Sequence, residues 1–340
     1  MAEILTYVRD YRVMATNRRF DIVELSEPEL TAMIQPVFAG QRVESAELLT
    51  GGVINTNYKV TVSAKPTPYV VRVYARDADA VEREAKITDL IADTVPVART
   101  LYRGTRAHTS DAAQGAGSYA IVEWRQGVVL QTVLDAGDTA GIEDAFEHAG
   151  SVLAAISKYK FATTGFFNKE LHVAHAFGDD PSAYMKQCLS KPEVRERLGD
   201  ELFEATRRFV ELKGLQLSAA GGMPCLVHGD YNPRNLLVSQ KNCSGGKNWC
   251  VSAVLDWEFA HAGTVLFDIG NMLRTQHKYP QLQSRFISGF TEAGGELHPD
   301  WQQLSRFIDL NNLLEFLTGD DRSWVYDEVR AGISRTITRE

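Results

Sequence analysis

The stretch that most limits what this chain can become is Cys225-Leu-Val-His228-Gly-Asp230-Tyr-Asn-Pro-Arg-Asn235-Leu-Leu-Val238. The apolar triplets Cys225 to Val227 and Leu236 to Val238 read as short buried strands. Between them Gly229 and Pro233 punctuate a polar loop with a tight backbone. A loop pinned at both ends by core strands holds its side chains rigidly. Asp230 and Asn235, five positions apart, are thereby able to converge on one small volume. Eighteen residues beyond the second triplet, Val254-Leu255 runs into Asp256-Trp257-Glu258, another carboxylate at the end of an apolar strand. One hydrogen-bonding carboxylate and an Asn/Asp pair of oxygen donors are what phosphoryl transfer needs: a group to orient a hydroxyl, and hard ligands for magnesium.

The order His228-Gly-Asp230…Asn235, then Asp256, has the spacing of the protein-kinase catalytic loop and its metal-binding aspartate. With Leu255-Asp256-Trp257-Glu258 and Phe267-Asp268-Ile269-Gly270-Asn271, the series resembles the aminoglycoside phosphotransferase / choline kinase superfamily over residues 48–275. Those proteins are kinases of small molecules. The resemblance implies an α+β, protein-kinase-like two-lobe fold. A small antiparallel β-sheet N-lobe with one key helix would occupy residues 1–124. A larger, mainly helical C-lobe, 125–340, would carry the catalytic loop, the metal site and a helical substrate cap. It also implies ATP and Mg2+ as cofactors, Asp230 as the catalytic carboxylate, and Asn235 and Asp256 as metal ligands. His228 and Asp268 would support the loop, and the backbone at Glu123 and Arg125 would meet an adenine edge.

Upstream, Leu48 to Val62 turns β-rich, with Gly51 and Gly52 at a turn and Asn55 just beyond. Adjacent glycines let backbone approach a phosphate closely; a plain hairpin turn is the competing reading. No Gly-x-x-x-x-Gly-Lys-Ser/Thr loop occurs, which excludes a P-loop enzyme. In Tyr69-Val-Val-Arg72-Val-Tyr74, Arg72 shares a strand face with Val70 and Tyr74 by the two-residue period. In the following helix Ala80, Glu84, Ile87 and Ile91 form one face, so Glu84 sits in an apolar stripe and needs a cation. Arg72 is the nearest in sequence. Kinases pair a strand lysine with a helix glutamate to hold phosphates; arginine departs from that pattern but grips carboxylate or phosphate with two N–H groups.

The remaining limits come from composition. At 340 residues the chain can fill two lobes, and a net charge of −8 speaks against a nucleic-acid partner. No apolar run approaches a membrane span, and the early charges of the N-terminus do not make a secretory signal, so a cytoplasmic protein is expected. Four cysteines, irregularly spaced, make no disulfide framework, although Cys243 and Cys250 flank a hairpin-like turn. From about residue 139 the apolar residues keep a helical period outside the catalytic loop. Residues 281–340 hold ten acidic and six basic side chains, among them Asp300, Asp309, Glu315, Asp320 and Asp321. That balance favours an amine-bearing alcohol, sugar or aminoglycoside-like antibiotic as the small-molecule hydroxyl substrate, with a neutral sugar or macrolide as runner-up. A nucleotide-binding sensor or scaffold of the same fold without turnover is the rival outside enzymes.

Overall fold

Alternation builds the first sheet. The strand Thr56–Val62 buries every second residue, as a strand with one covered face does. The computed structural model describes residues 21–49, 55–75, 79–106, 117–137, 139–178, 180–219, 222–240, 249–275, 277–319 and 323–338. Its strands β1 (Val43–Leu48), β2 (Thr56–Val62), β3 (Tyr69–Val73), β4 (Thr100–Thr105) and β5 (Ser118–Glu123) form an antiparallel sheet in the order β1-β2-β3-β5-β4.

Two helices cover this sheet on opposite faces. The helix α1 (Glu27–Ile34) starts at a reciprocal cap between Ser26 and Glu29, which satisfies two otherwise orphaned N–H groups. Its Leu30, Met33 and Ile34 pack with Val60, Val71, Val73, Tyr119 and Ile121. The alternate residues Arg72, Tyr74 and Ala120 face the other way. There α2 (Ala80–Ile91) adds Ala80 and Val81 to Tyr74 and Ala120. A charged strand residue, Arg72, is thus placed under a helix rather than in water.

The chain divides into two compact units. The first comprises Met1–Ala145, Asn168–His172 and Arg234–Glu258; the second comprises Phe146–Phe167, Val173–Pro233 and Phe259–Glu340. Position 124/125 falls inside the first unit, because Val128–Val129 pairs with Leu236–Ser239, which pairs in turn with Cys250–Val254. The second unit is mainly helical around a four-stranded sheet in the order Val173–Ala176, Gly165–Phe167, His261–Gly263, Cys225–Val227. The apolar triplet before the His228–Asn235 loop ends that sheet, is buried at all three residues and is bridged on its other side by Lys160. Among the described residues no helix is long and apolar enough to cross a membrane. Gly51, Gly52 and Cys243 lie outside the described residues, and with them the glycine turn and the Cys243–Cys250 hairpin pair.

Candidate active site

In the first unit the hairpin of Leu236–Ser239 and Cys250–Val254 pairs Leu236 with Val254. One step further Leu255 donates its N–H to the Asn235 carbonyl at 2.8 Å. Asn235 and Asp256 therefore stand at the same end of one antiparallel ladder. Asp256 has φ +67°, a left-handed conformation that costs most residues free energy and that Asn and Asp tolerate best. The chain turns there into a short 3-10 segment, Trp257–Phe259.

Arg72 reaches this end of the hairpin from β3. Its Nη2 donates to Glu84 Oε1 at 3.2 Å and to Asp256 Oδ1 at 2.5 Å. The Tyr74 hydroxyl donates to the other Glu84 oxygen at 2.9 Å, and its ring lies 5.2 Å from the guanidinium carbon. The side chains of Arg72 and Glu84 are only 13% and 10% exposed. Burial disfavours the Arg72 cation, but Glu84 and Asp256 outweigh it and hold the pKa above the usual arginine range. Burial raises the Glu84 pKa, with Arg72 opposing the rise. The Arg72 Nε is buried and meets no acceptor.

Glu84, Asp256 and Glu258 each bring a carboxylate oxygen within 4.8 Å of the other two. Asn55 joins them, its amide nitrogen 3.5 Å from a Glu258 oxygen and its carbonyl oxygen accepting from Ala75 N–H at 3.3 Å. A set of hard oxygens fits magnesium rather than a thiophilic metal, and the acceptor-less Nε–H of Arg72 fits a phosphate oxygen. These residues suit a nucleotide with its ion. At the end of β5, the Glu123 N–H already donates to the Arg99 carbonyl at 3.0 Å. The Glu123 carboxylate pairs with Arg125 at 3.2 Å.

In the second unit the loop after Cys225–Val227 is fastened by Asp268. Its two carboxylate oxygens accept the N–H groups of His228, at 2.7 Å, and Gly229, at 3.0 Å. Asp268 is fully buried; burial pushes its carboxyl up to about 7, while those N–H groups pull the other way. Gly229 has φ +85°, and a Cβ there would lie 2.4 Å from the Phe259 carbonyl, so only glycine fits. His228 Nδ1 accepts the Asp230 N–H at 3.1 Å, which puts the proton of the neutral ring on Nε2. Tyr231 anchors the turn through a 2.8 Å bond to the Ala149 carbonyl. Asp230 itself is half-buried. Its Oδ1 accepts the amides of Asn232 at 2.7 Å and Asn271 at 3.2 Å, which fix the carboxylate's direction.

Sequence reasoning did not assign Tyr74, Asn232 or Asn271 to these contacts. The signals were present: Tyr74 is two positions from Arg72 on one strand face, and Asn271 is three from Asp268 on one helix. The acidic C-terminal segment is less available than its count suggests. Asp309 is 3% exposed, and its oxygens accept from Arg274 at 2.8 and 2.6 Å. Asp300 and Glu315 are exposed, while Asp320 and Asp321 lie outside the described residues.

Residues 45–307 match the model of the phosphotransferase enzyme family, APH. A search of curated protein sequences gives no significant match. Solved structures share the fold at low identity. One is a thermostable mutant of aminoglycoside phosphotransferase APH(4)-Ia in ternary complex with AMP-PNP and hygromycin B. It is 17% identical with a TM-score of 0.63, over 92% of this chain and 100% of that one. Choline kinase LicA from Streptococcus pneumoniae is 16% identical with a TM-score of 0.59, over 91% and 99%. Spectinomycin phosphotransferase APH(9)-Ia, bound to ADP and spectinomycin, is 12% identical with a TM-score of 0.58, over 92% and 95%. With an α+β, protein-kinase-like fold and the family's model matched along most of its length, this chain belongs to the phosphotransferase enzyme family, whose members are small-molecule kinases.

Proposed function

We propose that the chain transfers the terminal phosphoryl group of ATP to a hydroxyl of a small molecule, with Mg2+ as cofactor. The observation that carries this reading is the buried Arg72 guanidinium, held by Glu84 and Asp256 and keeping one N–H without an acceptor. A phosphate oxygen completes its hydrogen bonding. Bound magnesium would neutralise phosphate charge, and Asp256 with Asn235 would hold it, Glu258 lending a further oxygen. Gly51 and Gly52 would cover the phosphates. At the adenine, the Glu123 carbonyl and the Arg125 N–H are the backbone groups proposed, since the Glu123 N–H is engaged.

In the second unit Asp230 accepts the hydrogen bond of the acceptor hydroxyl, orients its oxygen for in-line attack and takes its proton as the new P–O bond forms. The bond from the terminal phosphorus to the bridging oxygen breaks, and ADP leaves with that electron pair. Asn232 and Asn271 keep the carboxylate aimed; Asp268 and His228 keep the loop in shape. Transfer through a loose transition state asks the protein chiefly for such positioning. The test is ADP release from ATP and Mg2+ across a panel of hydroxyl compounds, with EDTA as control. Acceptor-dependent release that EDTA abolishes supports the reading; nucleotide binding with no release for any acceptor assigns the chain to a sensor or scaffold.

A further inference from the structure

Phosphoryl transfer as set out above gives Tyr74 no role. The residue follows β3 directly, where its N–H donates to the Ser118 carbonyl at 3.0 Å, and it shares a strand face with Arg72. It is 2% exposed and packs with Ala80, Val81 and Ala120. The ring is thereby wedged under the first turn of α2, and its hydroxyl reaches Glu84, one turn on from Ala80. Burial, then the Glu84 charge, holds the Tyr74 pKa well above the usual tyrosine range. The hydroxyl therefore stays protonated and serves that carboxylate as a donor.

Glu84 is a divided carboxylate. Its Oε1 accepts from Arg72 Nη2 at 3.2 Å, and its Oε2 from Tyr74 at 2.9 Å. A carboxylate beside a guanidinium often takes two N–H groups in parallel, one on each oxygen. Here Arg72 gives Glu84 one nitrogen, Nη2, and shares that nitrogen with Asp256. Its Nε is buried and lacks an acceptor. An unmet buried donor is costly, and a turn of the Glu84 carboxylate that brought Oε2 onto Nε would satisfy it. The Tyr74 hydroxyl holds Oε2 away.

We infer that Tyr74 is a positioning residue for the nucleotide: by taking one oxygen of Glu84 it keeps that carboxylate from closing both bonds onto Arg72, and so reserves the arginine's Nε–H for a phosphate oxygen. The nucleotide in this statement rests on the phosphotransfer reading; the divided carboxylate does not. Arginine makes the device necessary. A lysine ammonium is a point charge with no paired edge for a carboxylate to close, whereas a guanidinium fully engaged by Glu84 would have that edge spent before a phosphate arrived.

Tyr74→Phe keeps the ring beside the guanidinium and removes only the hydroxyl. Calorimetric titration of the full chain with AMP-PNP and Mg2+ should show a Kd raised about tenfold. Glu84→Gln supplies a second background, because an amide nitrogen cannot accept from Nε. Adding Tyr74→Phe there should change the Kd less than about twofold; a tyrosine that merely stabilised the sheet would cost the same in both. Magnetic resonance of the chain with isotopically labelled arginine gives a direct readout. The Arg72 Nε–H signal, identified by its loss in Arg72→Lys, should move when AMP-PNP and Mg2+ bind the natural chain. In Tyr74→Phe it should be displaced before any nucleotide is added. A Kd unchanged in Tyr74→Phe, an equal loss in both backgrounds, or a ligand-free signal that Tyr74→Phe leaves in place overturns the inference, with the kinase reading intact. No binding of AMP-PNP by the natural chain removes both. Binding that depends on Tyr74 as described, without ADP release for any hydroxyl compound, removes turnover and leaves the inference standing.

Discussion

Arg72 and Asp256 stand 184 residues apart in the chain and meet at 2.5 Å. The contact joins the sheet's covered face to the end of a hairpin made much later in the sequence. One cation there serves Glu84 and Asp256 together, so the cluster carries a net negative charge.

Arg72→Ala should leave Glu84 buried beside two other carboxylates without the cation paired to it. Breaking a buried pair from one side costs about 3–5 kcal/mol, and denaturant unfolding should show a loss of that order. ATP affinity should fall as well, and Arg72→Lys should restore only part of both, because an ammonium is a point charge without the paired N–H geometry. ATP affinity unchanged in a folded Arg72→Ala chain would confine Arg72 to a structural role.

Asp230→Asn is nearly isosteric and still offers an oxygen to the Asn232 and Asn271 amides. The fold and the nucleotide Kd should hold while kcat falls about 10²-fold or more, the usual cost of losing a positioned base. A folded variant with near-normal kcat would take Asp230 out of the chemistry.

Asp256→Asn keeps a side chain that tolerates the left-handed backbone and removes the charge. The gain in ATP affinity that Mg2+ provides over EDTA should shrink about tenfold or more. Glu258→Gln should produce a smaller change in the same direction. A magnesium effect undiminished in Asp256→Asn would place the ion elsewhere.

The fourth expectation concerns acid. His261 is 6% exposed, its ring centroid 5.8, 5.6 and 5.2 Å from those of Phe166, Phe177 and Phe267. Burial lowers its pKa to about 4, from an ordinary 6.5. The unfolded chain therefore takes up a proton that the folded chain refuses. The stability His261 contributes is complete above about pH 6.5 and drains away as the pH falls through 4. At 1.36 kcal/mol per pK unit this amounts to about 3 kcal/mol. Urea midpoints between pH 4 and 7 should decline toward acid in the natural chain and decline less in His261→Phe. Equal slopes in the two chains would assign the acid loss to other groups.

Local periodicity made the partnership of Arg72 with Glu84 legible. A charge inside an alternating strand and a carboxylate inside a helical apolar stripe each lack solvent, and twelve residues separate them. No such pattern links Arg72 to Asp256, because nothing periodic spans 184 residues. The stripes likewise conceal that Arg234–Glu258 returns to the first unit, which depends on strand pairing with Val128–Val129. Asp309 shows the limit of counting charge along a segment. It adds one negative charge to the C-terminal sum, yet Arg274, from another helix, consumes it.

The first unit is assembled from three separate stretches of chain, the last ending at Glu258. On a ribosome, where domains fold from the N-terminus as they emerge, β1 to β5 and α2 appear long before that stretch. Arg72 and Glu84 can pair early, but Asp256 reaches them only after some three-quarters of the polypeptide has been made. A fragment stopped at residue 145 would carry the sheet with the hairpin missing. Producing the first unit by itself would require splicing Asn168–His172 and Arg234–Glu258 back onto it.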